Sequence, residues 1–172
     1  MEFFKKILFR WRLFLHLRRL KSQLKLMSPE QIQARQDELQ LSFAVDAAQG
    51  RKDAVGMENL DEPERTLILV YSTEGSLGNG GFKFLFQHKV DKEPIIASYE
   101  AIGMPQTTAI LRAAFDEFPN GEPHGDFTER LDFIDQRKQH FDDLNCKMWA
   151  LSDETQECLI AYAKKYNPNL FV

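Results

Sequence analysis

At 172 residues the chain has the length of one ordinary domain, able to bury about two-thirds of its unfolded surface without a disulfide or a metal. Its 43% hydrophobic and 28% charged residues exclude a disordered or collagen-like chain. The net charge of −4 hides a split: residues 1–27 carry +7, from eight cations and Glu2, and residues 28–172 carry −11, from 14 cations and 25 anions. Two surfaces with different partners are therefore expected. Cys146 and Cys158 form no Cys-x-x-Cys pattern, which suits a reducing cytosol. Arg10, Arg12, Arg18 and Arg19 interrupt every apolar run before the about 18 residues of a membrane span are reached, and no secretory signal is read.

In chain order, Phe3–Met27 lacks Gly and Pro and is predicted to form one basic amphipathic helix. Phe3, Phe4, Ile7, Leu8, Trp11, Phe14 and Leu15 share one face, with Lys5, Lys6 and Arg12 opposite; from Leu13 the stripe moves to Leu17, Leu20 and Leu24. Ser28-Pro29-Glu30-Gln31 starts a second helix with a capping box, expected to run to about Ala48 and to stop at Gly50. After a polar loop, Asp61-Glu62-Pro63 starts a helix through Leu67–Tyr71, a run that periodicity alone also allows as a buried strand. Another helix is expected to begin at Asn79 and carry Phe82, Phe84, Leu85 and Phe86. Further helices are predicted over Ile95–Ile102, ended by Gly103, and from Pro105 to Phe118, ended by Pro119. Asp126 and Glu129 form a capping box for a long helix. Its apolar side holds Phe127, Leu131, Ile134, Phe141, Leu144, Met148 and Leu151, and its other side Glu129, Asp132, Asp135, Asp142 and Asp143. Ser152 caps a last helix to Tyr166. The expected fold is all-α, an acidic helical domain over 28–172 preceded by the basic helix.

The most distinctive segment is Gly75–Phe82. Glycines before a helix can cradle an anion, but Gly80-Gly81-Phe82 lacks the Lys-Ser/Thr of a phosphate-binding loop, and Lys83 stands where a dinucleotide fingerprint needs its third glycine. The structural alternative is that Asn79 caps a helix while the glycines allow a tight turn and close packing. His16, His88, His124 and His140 show no metal-ligand spacing. No cofactor, metal or catalytic group is expected. Arg130 and Arg137 lean towards the apolar side of their helix, placed to snorkel or to cap carbonyls of a neighbour.

Asn79-Gly80-Gly81-Phe82 is similar to a motif of a small bacterial all-helical domain family of unknown function, a family that includes an acidic DNA-mimic protein. The resemblance continues through Ala101-Ile102-Gly103, Ala109-Ile110-Leu111, Ala114, Phe118-Pro119, Arg130, Phe141, Leu144, Tyr166-Asn167 and Phe171, covering roughly residues 60–172. Ser76 stands where the family tends to place an acid, and the basic helix 1–27 falls outside the family pattern. The resemblance implies an all-α fold without an established enzymatic activity and, in its mimic member, a dimer presenting carboxylates to a DNA-binding protein.

Two functions follow as expectations. Carboxylates three or four positions apart on a helix sit about 5–6 Å from one another, so Glu129, Asp132, Asp135, Asp142 and Asp143 can imitate a line of phosphates. A non-catalytic cytoplasmic protein binding a basic partner, with no direct nucleic-acid contact by its body, is the first expectation. The second is peripheral attachment to the inner face of the membrane through Phe4, Ile7, Leu8, Trp11 and Leu15, the face of an interfacial helix.

Overall fold

The structure, a computed structural model, describes residues 27–171; the helix expected over residues 3–27, with its apolar faces, lies outside the described residues apart from Met27. The described residues are all-helical. Their helices are α1 (Pro29–Val55), α2 (Glu62–Leu85), α3 (Lys92–Ala101), α4 (Pro105–Asp116), α5 (Phe127–Gln136), α6 (Lys138–Ala150) and α7 (Ser152–Tyr166). None of them is long and apolar enough to cross a membrane. Two compact units divide within α1, after Leu39. In the first, the backbone N–H of Ser28 donates to Gln31 Oε1 at 2.9 Å and that of Gln31 to Ser28 Oγ at 3.3 Å, so the helix opens on a reciprocal capping box.

In the second unit, α2 lies at the centre and packs on α3, α6 and α7. Asp61 begins it: the N–H of Glu64 donates to Asp61 Oδ1 at 2.9 Å, and the Glu64 side chain accepts from the Asp61 N–H. The Leu67–Tyr71 run is therefore helical, and Leu67, Val70 and Leu77 form its buried stripe. Around it gather Ile95, Ile96 and Tyr99 of α3, Leu111 and Phe115 of α4, Leu144 and Met148 of α6, and Leu159 of α7. The aromatic load concentrates at one end of this core. Phe86 meets Phe115 and Phe118 edge-on, with ring centroids 5.2 and 4.9 Å apart, and such pairs add about 0.5–1.5 kcal/mol beyond area burial.

Three expected boundaries are corrected. Helix α1 passes Gly50 and ends at Val55, because one glycine costs a helix only about 1 kcal/mol. The extra turns carry on from Ala48, which packs with Leu60 and Ile68 in a second small cluster. Gly56, at φ 88°, is the stop. The long helix from Asp126 is two helices meeting at Arg137. Unbroken, eight residues would set Phe133 and Phe141 about 12 Å apart along the axis. The turn lets both rings reach Phe118, at 4.7 and 6.1 Å. Phe127, in the first turn of α5, is exposed rather than on the apolar side. Finally, Ser152 makes no capping hydrogen bond at the start of α7; its hydroxyl faces Glu74 instead.

Candidate functional site

Most of the Gly75–Phe82 segment lies inside α2, and only its Gly80–Gly81 pair precedes a new helical stretch, the last turn from Phe82. Gly75, Gly78 and Asn79 lie within α2, and the helix breaks at Gly80 and Gly81. Asn79 is exposed. Gly81 takes φ 66° and ψ −159°, a combination open essentially to glycine alone. A β-carbon on Gly81 would also stand 2.5 Å from the side-chain amide of Asn145.

Asn145, on α6, does the capping expected of Asn79. Its Oδ1 accepts the N–H of Phe82, the first donor after the break, at 2.8 Å in a buried site. An anion cradle would need that N–H, so Asn145 takes the place an anion would fill. One turn later on α6, Trp149 donates its indole N–H to the Leu77 carbonyl at 3.1 Å. One turn earlier, Phe141 packs against the Phe82 and Phe86 rings. Residues 141, 145 and 149 thus line one face of α6 and clamp both sides of the α2 break.

A second pinning group is Arg130, 5% exposed. Its Nε donates to the Phe86 carbonyl at 2.9 Å, and its Nη1 to the carbonyls of His124 and Gly125 at 2.6 and 2.7 Å. The guanidinium thereby satisfies carbonyls at the C-terminal end of α2 and in the loop before α5. Arg137 instead lies over the Phe133 ring, 3.8 Å from its centroid.

The third buried polar group joins Glu74 of α2 to Tyr99 of α3, whose hydroxyl donates to Glu74 Oε1 at 2.7 Å. Burial raises the Glu74 carboxyl above its ordinary value, partly offset by the Tyr99 and Ser152 hydrogen bonds. Tyr99, fully buried, is pushed well above the ordinary tyrosine range by burial and then by the Glu74 charge. Sequence reasoning missed Asn145, Glu74 and Tyr99. Each falls in the apolar stripe of its own helix, as in Phe141-Leu144-Asn145-Met148, and a polar residue at such a position is the signal that could have found it.

The candidate acidic face divides between the two helices that replace the long one. Glu129, Asp132 and Asp135 lie on α5, Asp142 and Asp143 on α6. Asp135 pairs with Lys83 of α2, at 2.6 Å, and Asp142 with Lys138. Asp142 holds the Lys138 ammonium above its ordinary pKa, first by hydrogen bonding and then by charge. Asp143 accepts from Gln139 at 3.0 Å. Glu129 and Asp132 are exposed and carry no ion pair among the described residues. Nearby, Glu117 faces both His140 Nε2 and Arg137 Nε, at 3.1 and 3.8 Å. Glu129, Asp132 and Asp143 are thus the carboxylates of the row with no neutralising cation among the described residues. Among the described residues no His, Cys, Asp and Glu side chains cluster as metal ligands.

These features define a class: a small all-helical domain whose central helix is broken at a Gly-Gly pair and held there by a neighbouring helix. Residues 58–166 match the DMP19-like protein family, and the chain belongs to it. The matched span contains the break, Arg130 and Asn145. No curated protein and no solved structure matches the chain.

Proposed function

We propose that this protein binds a basic protein partner, a DNA-binding regulator, by presenting carboxylates in place of DNA phosphates. Membership in the DMP19-like family, named for a DNA mimic, carries the reading, and the −11 charge of residues 28–172 supports it. Glu129, Asp132 and Asp143 are the contacts we assign, with Asp135 and Asp142 released to the partner only if Lys83 and Lys138 let go of them. The resemblance extends the proposal to a homodimer, for which light scattering on the full chain gives a mass of two chains or of one.

The test uses the full chain as bait in native lysate, beside an E129Q/D132N/D143N bait. A partner retained by the parent, displaced by added duplex DNA and lost from the neutralised bait supports the proposal. A partner retained equally by both baits would remove this face from the interface.

A second reading rests on residues 1–15, where Phe4, Ile7, Leu8, Trp11 and Leu15 are set against Lys5, Lys6, Arg10 and Arg12. Basic residues near an anionic surface contribute about 1 kcal/mol each, so we infer a salt-sensitive membrane contact for this segment. Sedimentation with anionic vesicles at low salt, lost in a Phe4→Glu/Leu8→Glu variant, supports that contact; no sedimentation of the parent chain refutes it.

A further inference from the structure

Away from the acidic face, a half-open groove of about 690 Å³ runs beside α2. Leu69, Leu85, Val90 and Ile95 supply apolar lining. At the rim stand Lys52, Arg65, His88 and Lys89, against the carboxylates of Glu58 and Asp91. Like Arg35, Lys147 and Lys165, three of these cations have no carboxylate partner among the described residues, but only these three gather around one groove. Arg51, Lys83, Lys92, Arg112, Arg137 and Lys138 each lie within ion-pair distance of a carboxylate. Lys52, Arg65 and Lys89 do not, among the described residues, although residues 28–172 hold nearly twice as many anions as cations. Arg65 is anchored by its bond to the Leu60 carbonyl, at 2.5 Å. Glu58 is turned to the Asn59 amide, at 3.3 Å. Three unpaired cations around an apolar floor complement an occupant with negative ends and an apolar middle.

Two observations give that occupant its class. The cations come from three elements: Lys52 from the last turn of α1, Arg65 from the first turns of α2, and Lys89 from the turn after its end. Along α2 the wall from Arg65 to Ser76 rises about 16 Å at 1.5 Å per residue, long enough for an extended molecule with its negative groups spread apart. Between the cations, two serines of α2 add acceptors to the wall. Ser72 donates its hydroxyl hydrogen to the Leu69 carbonyl at 3.2 Å, and Ser76 to the Ser72 carbonyl at 2.9 Å. Their hydroxyls are left with acceptor capacity, which suits the N–H groups of a peptide and offers nothing to an acyl chain. The chain's own residues 1–27, at +7, have the wrong charge for this rim.

We propose that this groove binds a short peptide segment with apolar residues in its middle and acidic residues towards both ends, on a surface separate from the DNA-mimicking face. Fluorescence anisotropy on the full chain tests it, using a fluorescein-labelled peptide of about twelve residues, enough to span the groove even as a helix, with Glu at both ends and Leu and Phe between. A second peptide carries Lys in place of Glu. The Glu peptide binds, weakens with added salt, and loses about tenfold or more in affinity to a Lys52→Glu/Lys89→Glu variant, as charge reversal at a rim requires. That variant unfolds at the parent temperature, because neither side chain holds another of the described residues. The E129Q/D132N/D143N chain binds the peptide as the parent does, which separates this proposal from the mimicry reading. Equal binding of the Lys peptide, or no loss in the reversed variant, would overturn the proposal. So would binding of dodecanoate in the groove without binding of the Glu peptide, which would make the occupant a small amphiphile.

Discussion

On one side of α6, Phe141, Asn145 and Trp149 recur every four residues, and each is committed to α2. On the other, Asp142 and Asp143 have Lys138 and Gln139, on the same helix, as their only partners among the described residues. The first set consists of long-range contacts, 63 residues apart in sequence for Asn145 and Phe82. The second consists of exposed local pairs, each worth only about 0.3–0.5 kcal/mol on a helix surface. One side of a single helix therefore fixes the fold, while the other can exchange its partners at little cost, as a binding surface must.

The strongest way to break that division is at Gly81. A Gly81→Val substitution puts a branched side chain at a positive φ and into the Asn145 amide, and should cost about 3 kcal/mol or more; chemical denaturation would show it as a lower midpoint. A folded Gly81→Val protein of parental stability would mean that the break is not held as described. Asn145→Ala comes next. It leaves the buried Phe82 N–H without an acceptor, for an expected loss of about 1–3 kcal/mol, whereas Asn79→Ala, at an exposed position, should change stability by less than about 0.5 kcal/mol. Equal losses from the two would return the capping role to Asn79.

A smaller effect, of opposite sign, is expected at Glu74. Its folded-state pKa is raised by burial from the ordinary 4.5, so the folded chain holds the proton more tightly than the unfolded one. The contribution to stability is complete below that ordinary value and is lost as pH rises through the raised one. Glu74→Gln keeps an acceptor for the Tyr99 hydroxyl without the charge. It should melt about 2 °C or more above the parent near neutral pH, with the gap closing as pH falls to the unfolded carboxylate range. A gap that widens on acidification would contradict the assignment.

How much of this the sequence could reveal follows the range of each interaction. Ser28 with Gln31 and Asp61 with Glu64 are bonds between residues three apart, so both helix starts were legible. So was the likeness of Arg130 to a carbonyl cap, although its acceptors at Phe86 and Gln87 lie more than 40 residues away. The Gly80–Gly81 break was not. Glycine permits a break without requiring one, and the residue that fixes it sits on another helix. The turn at Arg137 was hidden for a similar reason, since no Gly or Pro marks it and the pull comes from Phe118 on the loop before. The acidic row was readable as composition, but Lys83 joins Asp135 from 52 residues away, and that pairing separates the neutralised carboxylates from the available ones.

The smallest effect on stability should accompany the largest on binding. Neutralising Glu129, Asp132 and Asp143 together changes three exposed carboxylates, each contributing within about 0.5 kcal/mol to folding, while exposed charges that steer a basic partner govern its association and salt dependence. The direct measurement pairs a thermal melt with binding of the DNA-displaceable partner, on the same preparations of parent and E129Q/D132N/D143N protein. The account predicts melting temperatures within about 2 °C of each other and an association rate at least about tenfold lower for the variant at low salt. Parental association by a fully folded variant would contradict it.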